Sequence, residues 1–231
     1  TTDAAGRSAL EIAFGRGGPD GLEALGLLLA QPGVDLNRIL VSGGGGVGGA
    51  VDDARDASLL HLAAYEGDEA KRRFLLDRRA HVDVRNGTGD TPLHWACALG
   101  HLNAVRILIQ HGADVMAAGA DGRTPLHAAC GVRGSPAALA LLIQRCERMR
   151  WERGGCNALD GERNTPLHHA ARHAPMAHKF FALLLEHGAD ASLQNGRGQT
   201  VLHRLAERAV AGGSFVGGCA LDAELPLTQL L

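Results

Sequence analysis

Five histidines of this chain sit in nearly the same local setting: Ser58-Leu59-Leu60-His61, Thr91-Pro92-Leu93-His94, Thr124-Pro125-Leu126-His127, Thr165-Pro166-Leu167-His168 and Thr200-Val201-Leu202-His203. An imidazole beside a hydroxyl or a thiol is the raw material of nucleophilic and acid–base chemistry. Cys97 and Cys130, each three residues after such a histidine, supply the thiols. His169 and His173 stand four apart, a spacing that two zinc ligands on one helix can use. A zinc peptidase would need glutamate directly after His169, where Ala170 stands, and the third ligand could only be His178, beyond Pro175. The run SGGGGVGGA at 42–50 has the glycine content of a phosphate loop, but no Lys-Ser or Lys-Thr follows and no strand pattern precedes it. Trp151 among Arg145, Arg148, Arg150 and Arg153 offers the aromatic and cations used on single-stranded nucleic acid. Two interspersed glutamates and a single ring weaken that signal. Arginines at a helix C-terminus, facing the dipole, are the commoner reason for such a cluster.

Recurrence argues against catalysis. A site is assembled once, from residues that converge, whereas these histidines return at a near-fixed interval: Thr91 and Thr124 are 33 residues apart. A period of that length marks an array of small supersecondary units. Within one unit, Thr91 suits an N-cap with its hydroxyl facing orphan amides, and Pro92 the first helical position, where no donor is missed. Leu93, Ala96 and Cys97 share one face of that short helix. A second amphipathic run, 105–109, is predicted to end at Gly112, where a left-handed residue stops a helix most easily. One unit cannot bury its apolar face alone; stacked neighbours can.

The T-P-L-H heads at this period resemble the ankyrin-repeat family. The resemblance implies an all-α solenoid of about six helix-turn-helix repeats joined by hairpin-like connections, over approximately 3–40, 53–85, 86–118, 119–159, 160–194 and 195–231. These make one domain over 1–231. It also implies that each histidine bonds its own threonine and backbone near the neighbouring repeat. Departures are local. Residues 42–50 read as a flexible linker: Ser8 to Ser58 is 50 residues, 17 above the period. Loop closure grows only logarithmically, so the insertion costs about 1 kcal/mol. Thr124 to Thr165 is 41 residues, the excess being one residue near Gly134 and about seven in 145–156, which should lengthen a helix and then loop out. Ser8 with Glu11 forms a capping box at the first repeat. Arg79 stands where the next repeat has Gly112, so a left-handed arginine there costs about 1 kcal/mol.

Composition sets outer bounds. The chain has 231 residues, 45% of them hydrophobic and 3% aromatic, with a formal charge of −2, which suits packing on Leu and Ala. The first 100 residues hold 10 basic and 14 acidic side chains and the remainder 13 and 11, a difference of six charges that implies no polyanion partner. Arg72, Arg73, Arg78 and Arg79 are interleaved with Glu66, Asp68, Glu69 and Asp77 and read as a solvated, self-compensated helix face. No apolar run reaches membrane-span length. Five cysteines without zinc-like spacing suit free thiols in a reducing, cytoplasmic or nuclear compartment. The start at Thr1, close to a repeat boundary, is what a fragment or a processed chain would show.

By resemblance, the function is non-catalytic protein–protein recognition, with no cofactor and no metal. Contacts in such arrays come from the connection tips and the ends of the inner helices on a concave side. Carried over, the binding residues are Tyr65, Glu66, Asp90, Leu99, Asp121, Arg123, Val132, Glu162, Asn164, Arg172, His173, Arg197 and Gln199. The alternatives are a structural subunit of a larger complex, nucleic-acid binding through the Arg-rich segments, and the substrate-receptor module of a ubiquitin ligase. The last follows from Leu225-Pro226-Leu227-Thr228-Gln229-Leu230, which resembles the start of a SOCS box, although Leu231 stands where that box has cysteine.

Overall fold

The computed structural model describes residues 9–16, 18–32, 34–37, 57–119, 121–148, 154–173 and 177–211. Among them the backbone is all-α: eleven helices, one 3-10 turn and no strand. The chain divides into two compact units, Thr1–Ala96 with His101–Ala120, and Cys97–Gly100 with Asp121–Leu231.

The first unit contains α1 (Ala9–Gly15), α2 (Gly18–Leu29), α3 (Leu59–Glu66), α4 (Glu69–Asp77), most of α5 (Pro92–Ala98) and α6 (Leu102–Gln110). Each pair is a short helix, a tight turn and a second helix. Helix α1 packs on α2, α3 on α4, and α4 on α6. The seam is aliphatic, with Leu25, Leu59, Leu75, Leu93 and Leu108 all at 1% exposure or less. Gly112 ends the turn after α6 at φ 87°, and Arg79 takes the matching place after α4 at φ 63°, the left-handed arginine expected there.

The Arg-rich face of α4 departs from expectation. Arg73 is solvent-facing and pairs with Glu69 at 2.8 Å, and the Arg78 guanidinium lies 3.6 Å over the Phe74 ring. Arg72, however, is 1% exposed, its Nη1 donating to Ala63 O at 2.9 Å. Lys71 is buried beside it, its Nζ 2.7 Å from Glu66 Oε2 and 4.3 Å from the Phe14 ring centroid. In the following repeat Ala104 and Val105 fill these two slots. A charged side chain has therefore replaced a core aliphatic one, which charge patterning along the chain cannot reveal because the buried slot still carries a cation.

The second unit contains α7 (Pro125–Ala129), α8 (Pro136–Arg148), a 3-10 turn (Gly155–Asn157), α9 (Pro166–His173), α10 (Ala177–Glu186) and α11 (Val201–Ala211). First helices pack on first helices (α7 on α9, α9 on α11) and second on second (α8 on α10). Leu126, Leu139, Leu142, Leu167, Phe180, Phe181 and Leu184 fill the space between them. Helix α8 is lengthened as the insertion predicts. Gly134 is the single extra residue before it, and a Cβ there would meet Ala129 O at 1.7 Å, so only glycine fits. The Ser8 cap, the 42–50 segment, Trp151, Pro175 and the 221–231 segment lie outside the described residues.

Candidate protein-interaction surface

The five histidines serve the frame. In the second repeat the Ser58 amide donates to His61 Nδ1 at 3.2 Å, and Ser58 Oγ lies 2.9 Å from the same nitrogen. An amide can only donate, so Nδ1 accepts and the ring proton sits on Nε2. That proton goes to Asp90 O at 2.9 Å, the residue just before the next repeat's threonine. The pattern repeats: His127 Nε2 donates to Asn164 O at 3.1 Å and His168 Nε2 to Gln199 O at 3.0 Å. His94 and His203 make the same local contact, to Thr91 Oγ1 at 3.0 Å and Thr200 Oγ1 at 2.8 Å. The threonine hydroxyl thus faces the imidazole as well as the helix start.

In His61, His127 and His168 both ring nitrogens are consumed in the neutral form, and these three rings are buried, whereas His203 is exposed. Burial pushes His61 down to about 4, with nearby His94 adding to the effect and the bond to Asp90 opposing it. Burial likewise pushes His127 down to about 4, with neighbouring His169 adding. His168 is lowered by the same cause. An imidazole locked in this way is no proton shuttle at neutral pH. Cys97 and Cys130 are fully buried, and burial raises both thiols well above their ordinary value, so neither is a ready nucleophile.

A second device closes three of the four described connection tips. Asn86 Oδ1 accepts the amides of Thr88 (3.1 Å) and Asp90 (2.8 Å); Asp160 Oδ1 accepts those of Glu162 (3.0 Å) and Asn164 (2.7 Å); Asn195 Oδ1 accepts those of Arg197 and Gln199, both at 3.0 Å. All three side chains are buried. In the second unit adjacent tips are tied together, Gly161 N–H to Asp121 O at 2.6 Å and Gly196 N–H to Glu162 O at 2.8 Å. A Cβ on Gly161 would lie 2.9 Å from Asp121 O, which is why glycine stands there. Two residues before each threonine the tip turns left-handed: Gly89, Gly122 and Gly198 at φ 72°, 75° and 71°, and Arg163 at φ 60°. Arg163 and the three tip-closing residues were missed in the sequence. For Arg163 the signal was present, a non-glycine in a slot that is otherwise glycine.

The residues expected at the surface divide by exposure. Glu66, Asp121, Arg123, Val132, Glu162, Arg172 and Arg197 are exposed, and Tyr65, Asp90, Leu99 and Gln199 half-buried. Val132 is the most open of the large apolar side chains among the described residues of the second unit, at 65%. Asn164 differs: it is buried, its Nδ2 reaching Asp160 Oδ2 and its Oδ1 accepting from Asn195 Nδ2 at 3.0 Å, so it serves the frame. The His173 side chain lies outside the described residues. Tyr65 meets Trp95 edge-on at 6.1 Å, and Trp95 meets His61 at 5.2 Å.

His169 is engaged by a carboxylate of the neighbouring tip. Its Nε2 lies 2.8 Å from Asp160 Oδ2. Burial alone would raise the Asp160 carboxyl, but the His169 bond and the Asn164 amide outweigh it and hold the group well below the carboxylate range. Among the described residues no three His, Cys, Asp or Glu side chains converge on a metal-sized space, and no helix is long and apolar enough to cross a membrane.

Comparison with known proteins agrees with this geometry. The family model described as ankyrin repeats (3 copies) matches residues 35–118 and 60–150, and that described as ankyrin repeats (many copies) matches 154–205. Among curated proteins, Rabankyrin-5 of Homo sapiens is 48% identical over 54 residues, 23% of this chain and 5% of that protein. Ankyrin repeat and SOCS box protein 18 of Homo sapiens is 37% identical over 78 residues, 34% of this chain and 16% of that protein. The aligned stretches thus cover a small part of either relative.

Proposed function

Because this chain belongs to the ankyrin-repeat family, whose members generally mediate protein–protein interaction and are typically non-catalytic, we propose that it binds a protein partner through its connection tips and first-helix ends. The observation that carries this reading is the contrast between frame and slot. The threonine–histidine and Asn/Asp devices recur in near-identical form, while the residue four after each histidine changes freely: Tyr65, Ala98, Gly131, Arg172 and Glu207. None of these five is buried. A scaffold held by repeated internal bonds leaves such positions to be set by what they touch. Tyrosine and arginine among them are types enriched at interface hot spots.

The test is affinity purification of the protein with mass spectrometry, followed by titration of the recovered partner. Tyr65→Ala and Arg172→Ala should each weaken it by more than about 1 kcal/mol with little change in thermal midpoint. Arg106→Ala and Arg145→Ala, on second helices, should do neither. Loss of binding on those second-helix changes, with silence at Tyr65 and Arg172, would move the contact to the opposite face.

A second reading, a substrate-receptor module of a ubiquitin ligase, is favoured by two observations. One relative is named as an ankyrin repeat and SOCS box protein, and residues 225–230 read Leu-Pro-Leu-Thr-Gln-Leu. Co-purification of ubiquitin-ligase subunits, lost when 221–231 is deleted, would support it.

A further inference from the structure

We infer that the tips of the fifth and sixth repeats, with the end of α9, form a basic seat for an acidic segment of the partner protein, with Arg163, Arg172 and Arg197 as its cations. This rests on the protein-recognition reading above and names the chemistry of the partner. The three arginines sit on adjoining elements. Arg163 and Arg197 lie on tips joined by the Gly196 N–H to Glu162 O bond of 2.8 Å, and the Arg163 tip leads directly into α9, which carries Arg172. All three are exposed, and the ion pairs formed among the described residues leave them out. Neighbouring charged side chains are already engaged: Arg123 pairs with Asp121 at 2.9 Å and Arg204 with Glu207 at 3.4 Å, while the buried Asp160 accepts a hydrogen bond from His169 at 2.8 Å. Glu162 receives the Asn164 amide at 3.3 Å. What remains for a partner on these elements is three exposed arginines against one exposed carboxylate, that of Glu162.

Arg163 adds a second, independent argument. It holds a left-handed backbone at φ 60° where the other three tips use glycine. An L-residue there is strained, and no hydrogen bond or ion pair of its side chain among the described residues offsets that strain, which leaves the guanidinium for a contact outside the chain. Arg79 shares the backbone strain but follows the second helix α4 and is not part of a connection tip. Guanidinium groups pair with carboxylates in a planar, two-bond geometry, which suits a run of Asp or Glu. Single-stranded nucleic acid would also want exposed rings for stacking. The rings described in this unit, Phe180 and Phe181, are buried at 1%.

The experiment is fluorescence anisotropy with the whole chain and three labelled probes: a short poly-glutamate peptide, a poly-lysine peptide of equal length and an oligothymidine. The glutamate peptide should bind, and weaken as salt is raised. Arg163→Gly, Arg172→Ala and Arg197→Ala should each lower its affinity about three- to fivefold. Lys179→Ala, removing an exposed cation on α10, should leave it unchanged. Arg163→Gly should at the same time raise the thermal midpoint by about 2–4 °C, so that binding and stability move in opposite directions and misfolding cannot explain the loss. Absence of glutamate-peptide binding, indifference to all three substitutions, or tighter binding of oligothymidine would overturn the inference. A peptide-display selection on the same chain separates its failure from that of the broader reading. Neutral binders that are sensitive to Tyr65→Ala and blind to Arg163→Gly would overturn the acidic seat while leaving protein recognition standing.

Discussion

Mild acid is expected to destabilise this protein between pH 6.5 and pH 4, above the range in which most carboxylates titrate. His61 and His127 have ordinary values of 6.5 in the unfolded chain and about 4 when folded. Inside that window the unfolded chain takes up protons that the folded chain refuses, so stability falls as pH drops. The contribution is fully present above 6.5 and gone once pH has passed 4. At roughly 1.4 kcal/mol per pH unit, each of these histidines accounts for about 3 kcal/mol, and the pair for about 6–7. His168 acts in the same direction. Since a folded domain has about 5–15 kcal/mol in total, this is enough to unfold it without titrating a carboxylate. Urea unfolding followed by circular dichroism from pH 7.5 to 4.5 should show a slope near pH 5 of about 2–3 kcal/mol per pH unit, the signature of two protons. His127→Asn should be less stable at neutral pH yet lose about half of that slope. The groups facing His127, namely His169 and Asp160, remain in the variant and serve as the internal control. Level stability from pH 7 to 4.5, or His61 and His127 ring resonances that titrate near 6.5, would refute the reasoning.

The buried thiols offer a simpler check. A thiol reagent should label none of Cys97, Cys130, Cys146 and Cys156 in the folded protein and all four in urea, since burial pushes even Cys156 up to about 12; a native disulfide among them would count against a reducing compartment. Arg72→Leu should hold or raise stability, by up to about 2 kcal/mol, because it removes a buried guanidinium whose Nε has no hydrogen-bond partner. A fall in the urea midpoint would show that the bond to Ala63 O outweighs that desolvation. Deleting residues 42–50 should leave helical content unchanged and shift the thermal midpoint by no more than a few degrees; loss of cooperative melting would show that the segment packs.

The frame was legible in the sequence because its determinants are local and repeated. A threonine, a proline and a histidine in four residues predict where a helix starts, and the glycine after the second helix predicts where it stops. The histidine's bond to the next repeat followed from the family resemblance and recurs at His61, His127 and His168. What could not be read is set by neighbours distant along the chain. Nothing in Glu69-Ala70-Lys71-Arg72-Arg73 tells which cation faces Phe14 and which faces water. Asn164 occupies a tip, as the contact positions do, yet Asn195 thirty-one residues later draws its amide inward.

The same distinction bears on where function lies. Residues that obey the period are occupied by the frame: the histidines, the tip-closing Asn86, Asp160 and Asn195, and the glycines whose Cβ would strike backbone. Variation that leaves the frame intact falls on the exposed slots, and there it is cheap, so an unusual residue such as Tyr65 or Arg172 says little by itself. Arg163 is different because its departure from glycine has a conformational cost of about 1 kcal/mol and no side-chain bond among the described residues offsets it. A costly irregularity in a regular array carries more information about an outside contact than a costless one. By that argument the second unit's tips, and the carboxylates they would attract, are the part of this protein where its individual specificity is most directly tested.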